Sequence, residues 1–144
     1  MRRISQAFIL GVMVVTHCSY AQEAVSVARV VNVYDGDTLR VDIPDWPPVI
    51  GQNMPIRVRG IDTPEIRGKC QDEKRQAYAA RNYVRDRVGQ AHTIELRNIE
   101  RGKYFRLVAD VYLDGVLLAN ELTAAGLARN YDGGTRSPWC HVGK

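Results

Sequence analysis

Turn signals cut this chain into short pieces, and that limits its folds more than any other feature. Asp35-Gly36, the run from Pro44 to Pro48, Pro64, Glu100 to Lys103 and Asp114-Gly115 each interrupt an apolar stretch. Glycine tolerates positive φ in a tight hairpin, and proline has no N–H to give to a sheet. The pieces between them read as strands. Val25 to Val33 is rich in valine, and Thr38 to Val41 returns after the turn. In Met54 to Ile61, Arg57 and Arg59 alternate with Val58 and Ile61, which puts both arginines on one face. His92 to Ile99 alternates in the same way, and Arg106 to Leu113 lines Leu107, Ala109, Val111 and Leu113 along one side.

Only two stretches carry a helical period. Between Asp72 and Val88, Ala77, Ala80, Val84 and Val88 recur at three- and four-residue steps, a narrow apolar stripe. Asp72 and Glu73 near its start and Arg85 and Arg87 near its end suit the helix dipole, and Gly89 is a plausible stop. Leu118 to Ala125 reads as a second, short helix that Gly126 can end. From Asp42 to Asn53 the prolines argue against regular structure. Trp46 there either stacks a base or packs on the outside of the fold. Three strands, a helix, two strands and a helix fit an OB-fold barrel and several other α+β folds.

With 144 residues, 45% of them hydrophobic, one domain with one core is expected. The first residues stand apart. Arg2 and Arg3 precede an apolar run, Ala7 to Val15, too short to span a bilayer, and Ser19-Tyr20-Ala21 fits a signal-peptidase site. Residues 1–21 are therefore expected to be a secretory signal and 22–144 the folded domain, periplasmic or secreted. An ordinary N-terminal helix is the alternative. Cleavage removes two arginines, so the formal charge of +4 falls to +2. Bulk charge alone then gives little affinity for polyanions, and local clustering must supply it. Cys18 leaves with the signal. Cys70 and Cys140 remain, an even pair that in an exported protein reads as a disulfide, with two free thiols as the alternative. No transmembrane span, repeat or exposed apolar run appears in 22–144, so a monomer without stable membrane association is expected.

The chemistry gathers where strands open into loops. Asp35 and Asp37 flank one turn, Asp62 and Glu65 follow Arg57 past Gly60, and Arg106 opens the last strand. An arginine beside two acids is also what a surface ion pair looks like. Several hard oxygens with two guanidiniums, however, are what metal-assisted attack on a phosphodiester requires.

Taken together, Asp35-Gly36-Asp37-Thr38, Arg57, Asp62-Thr63-Pro64-Glu65 and Tyr104 to Arg106 resemble the thermonuclease (staphylococcal nuclease-like) family, in order, from about Val25 to about Ala128. The resemblance implies an OB-fold five-stranded barrel with two to three helices. It implies Ca²⁺ held by Asp37, Asp62 and the Thr63 carbonyl, with Asp35 holding a metal-bound water. Glu65 matches the general base, Arg57 and Arg106 the arginines on the scissile phosphate, and Tyr104 a tyrosine near the nucleotide's phosphate. DNA is the implied substrate, with RNA a second candidate, and the products would carry 3′-phosphates. Two departures stand out. Phe105 replaces the family's glycine, and Tyr131 is offset from the family's paired tyrosines. A Cys70–Cys140 bridge is expected to staple the polar tail beside the loop of Glu65. The competing reading is an OB-fold module that binds nucleic acid without cutting it.

Overall fold

A computed structural model describes residues 23–140, so the signal peptide expected over 1–21 lies outside the described residues. The elements in order are β1 (Val25–Ser26), β2 (Arg29–Asp35), β3 (Thr38–Asp42), α1 (Pro48–Gly51), β4 (Met54–Val58) and β5 (Ile61–Asp62). Then come α2 (Gln71–Gln90), β6 (Ile94–Arg101), β7 (Leu107–Leu113), β8 (Val116–Leu117), α3 (Leu118–Ala124) and β9 (Arg129–Asn130).

The main sheet runs β1-β6-β7-β4-β3-β2, with β8 on β7, and β5 pairs with β9 in a small separate sheet. All pairings are antiparallel except β4 with β7. Its two ends meet. Val27 N–H bonds to Ile94 O and Ala28 N–H to Asp42 O, so the first strand crosses from one edge to the other within two residues. That kink splits the single strand expected over Val25–Val33 and curls the sheet round a core, the α+β OB-type architecture. Val41, Ile56, Leu96, Ala109, Val111 and Leu113 line that core, with Leu118 and Leu122 of α3 closing it. Each fully buried aliphatic of this size contributes about 1.5–3 kcal/mol.

Several other expectations need correction. Pro48 starts one helical turn inside the segment expected to be irregular, because proline's missing N–H costs nothing in a first turn. Gly89 does not stop α2, which runs on to Gln90. The strand expected over Met54–Ile61 breaks at Gly60, whose φ of 78° turns the chain out of the main sheet and into β5. Gly36 is needed for a different reason than the one the sequence suggested. Its φ is not in the left-handed region; instead, a Cβ there would lie 2.8 Å from Ala80 Cβ and 2.8 Å from Thr63 Cγ2. The alanine stripe of α2 lets the Gly36-Asp37 turn sit down on the helix and against the loop of Thr63.

Candidate active site

Arg57 lies at the end of β4, opposite Thr38 of β3 on one side and Val108 of β7 on the other. It is therefore carried by the centre of the sheet, and it is 6% exposed. A buried charge is tolerable only when paired. One guanidinium nitrogen pairs with Asp37, the other stands 3.6 Å from Asp62 Oδ1 and donates to Ile61 O at 3.0 Å. Burial pushes the Arg57 pKa down, nearby Arg136 adds to this, and Asp62 and Asp35 oppose it. Arginine starts so high that it stays protonated.

The acids come from two turns. Asp37 sits in the β2–β3 turn, its backbone carbonyl fixed by Val58 N–H at 2.8 Å. Its Oδ2 accepts from Thr63 N–H at 2.9 Å and its Oδ1 from the Thr38 hydroxyl at 3.0 Å. Asp62, 4% exposed, ends β5. Its Oδ2 accepts from the Trp139 indole N–H at 2.9 Å, and Arg136 Nε stands 2.9 Å from its Oδ1. Asp35 is also buried, and its Oδ1 has no hydrogen-bond partner. Burial raises the Asp35 pKa above its ordinary value; the Thr38 hydroxyl and Arg57 offset part of that.

The rim is different in character. Glu65 is half exposed and ion-paired with Arg136. Arg57, Glu65, Arg106 and Arg136 line a cavity of about 230 Å³ with Asp35 and Thr38 behind them. Arg57 and Arg106 also border a second cavity of about 720 Å³, walled by Arg59, Val108, Asn130 and Tyr131. The two matched arginines thus stand between a small acid-backed pocket and a larger groove. Tyr104 is not brought in. It is 90% exposed and lines neither cavity. It and Phe105 both have positive φ, 56° and 53°, so Phe105 holds a conformation that the family's glycine would adopt freely.

Sequence reasoning missed four residues. Arg59 was noted only for its face; it lines the larger cavity, with ion pairs to Glu100 and Asp110. Glu73, read as a helix-dipole acid, is buried and accepts from Lys69 N–H at 2.9 Å and more weakly from Glu65 N–H at 3.5 Å, so it shapes the loop of Glu65. Arg136 and Trp139 reach the site because Cys140 is bonded to Cys70, Cα–Cα 5.9 Å, as the cysteine count led one to expect. The usable signal was that bridge: Cys70 lies five positions after Glu65, so Cys140 must bring its neighbours there.

Among the described residues, one group of possible ligand atoms lies within 4.8 Å: Cys70, Glu73 and Cys140. Its sulfurs are spent in the disulfide. The site acids do not converge that closely, since Arg57 and Arg136 stand among them. Their chemistry nonetheless fits a hard cation. Every donor is oxygen, and Asp35 Oδ1 and Asp62 Oδ1 are buried without a hydrogen-bond donor.

A family model described as staphylococcal nuclease homologue matches residues 55–138. No curated protein sequence matches the chain. The matched span runs from β4 through the segment that carries Arg136.

Proposed function

The chain belongs to the staphylococcal nuclease homologue family, and from that premise we propose that it is an exported, Ca²⁺-dependent nuclease. It hydrolyses phosphodiester bonds of DNA, with RNA a second substrate, and leaves 3′-phosphates. One observation carries this reading: Arg57, Arg106 and Glu65 line one cavity backed by buried acid. Asp37, Asp62 and the Thr63 carbonyl would hold the cation, and Asp35 a water beside it. A cation held there would polarise the phosphate and offset its charge.

The chain's own residues do the rest. Arg57 and Arg106 fork onto the phosphate oxygens and neutralise charge that grows as water adds. Glu65 takes one proton from that water as the new O–P bond forms. The bond from phosphorus to the 5′ oxygen breaks, and that oxygen takes a proton from solvent. The larger groove beyond Arg57 and Arg106 has room for the attached nucleoside. Contacts aimed at phosphate carry no base identity, so cleavage should be weakly sequence-dependent.

Incubation with plasmid and with end-labelled single- and double-stranded oligonucleotides tests this reading. Cleavage with Ca²⁺, none with EDTA, and 3′-phosphate ends are expected. Binding without any cut product overturns hydrolysis in favour of the non-catalytic module. Protein recovered from periplasm or medium should begin at Gln22; an intact N-terminus there would count against export by cleavage.

A further inference from the structure

Asp62 has two oxygens in different circumstances. Oδ2 is committed to the Trp139 indole N–H at 2.9 Å. Oδ1 has no hydrogen-bond donor; it faces only the charges of Arg136 and Arg57. The indole therefore fixes the carboxylate's rotation and turns Oδ1 toward cationic partners, the Arg136 and Arg57 guanidiniums, on the face that a bound cation would share. Outer donors of this kind set the orientation of a ligating carboxylate.

Trp139 is itself held by unusual means. Residues 132–138 are exposed, yet Trp139 is 7% exposed. The Arg129 guanidinium stacks 3.7 Å from its ring and also donates to Pro138 O at 3.1 Å. Arg129 is in turn the β9 partner of Asp62. The next residue, Cys140, is bonded to Cys70, the N-cap of α2. Between β9 and the bridge, Trp139 is the one buried side chain of the described segment.

We infer that Trp139 is a positioning residue for Asp62, set in place by the Cys70–Cys140 bridge, so that cation affinity depends on the indole N–H and on the oxidised cysteine pair. This rests on the proposed cation site at Asp37 and Asp62. The bridge is then more than a staple for stability. It ties a segment with little packing of its own to the one carboxylate it must orient, and a reducing compartment would weaken the site without touching any ligand.

Calorimetric titration of the purified oxidised protein with Ca²⁺ alone tests it, with melting temperature and thiol count measured on the same samples. Trp139→Phe keeps an aromatic ring for Arg129 and removes only the N–H. Its Ca²⁺ dissociation constant should rise about 10–100-fold, with the bridge intact and the protein still fully folded at the titration temperature. Wild-type protein titrated in reductant, below its melting temperature, should lose affinity in the same direction. Equal affinity of the Phe variant and wild type overturns the inference and leaves the cation site standing. If wild type takes up no Ca²⁺, or Asp62→Ala binds as well as wild type, the site itself falls and the inference with it.

Discussion

Arg57 and Arg136 both face Asp62, and they are held there by opposite means. The Arg57 side chain is 8% exposed, fixed in the central strand between β3 and β7, with Asp37, Asp62 and Ile61 O around it. The Arg136 side chain is 41% exposed, on an irregular segment that the disulfide brings in from 70 residues away. Burial would lower its pKa, but Asp62 and Glu65 outweigh that and raise it. The buried floor is therefore specified by packing and pairing, while the exposed rim depends on loops and one covalent tie. Breaking a buried charge pair of the floor should cost stability and activity together. Changes to the rim should separate them.

The largest effect is expected from Arg57→Ala. It leaves Asp37 buried without its cation and Asp62 with Arg136 alone, which costs about 3–5 kcal/mol, read as a lower urea midpoint. Cleavage should also fall by about 10²–10³-fold. A variant as stable as wild type would erase the contrast between floor and rim.

Glu65→Gln is the matching rim change. Turnover should drop by about 10²–10⁴-fold, while unfolding free energy stays within about 0.5 kcal/mol. Near-normal cleavage would remove Glu65 as the base. Replacing Cys70 and Cys140 with alanine removes the covalent tie of the rim. A loop of 70 residues is released, which should cost about 4 kcal/mol on the chain-entropy account. An unchanged melting curve would show that the tail is held by Arg129, Arg136 and Trp139 alone.

Asp35 sharpens the comparison from within the floor, because it is buried and one of its oxygens has no donor. Its folded pKa is raised by burial, so between the unfolded value near 3.8 and the folded one the native state holds more protons. Stability from this group is then lost as pH rises through that window and recovered as pH falls through it. Asp35→Asn removes the penalty. It should melt higher than wild type at neutral pH, and the gap should close toward pH 3.8. A pH-independent gap would mean that the carboxylate is not what titrates. The smallest effect belongs to Phe105→Gly, which relieves a φ of 53° and should gain up to about 1 kcal/mol. A loss instead would show that the Arg101 guanidinium, 4.7 Å above the Phe105 ring, outweighs the strain.

Much of the architecture could be read from local pattern. Alternation in Leu107, Ala109, Val111 and Leu113 named the buried face of β7, and the alanine stripe named the packed face of α2. Element ends were read less well. Gly60 broke a strand that alternation alone would continue, and Pro48 began a turn of helix where proline was read only as a breaker. In the site, Arg57, Glu65 and Arg106 do share one cavity, but Tyr104 does not reach it. Arg136 and Trp139 were invisible because nothing in their own stretch is periodic.

By itself the sequence determined the strand and helix pattern, the acids and arginines of the family motif, and the Cys70 and Cys140 pair in the segment expected to fold. These are properties of neighbours along the chain, fixed by periodicity and residue type. Only the tertiary structure decided which partner each oxygen of Asp62 takes, why Gly36 can carry no side chain, and that an exposed tail supplies a buried indole to the site. Those are contacts between residues tens of positions apart, and such contacts exist only once the curled sheet and the disulfide have brought the two ends of the loop together.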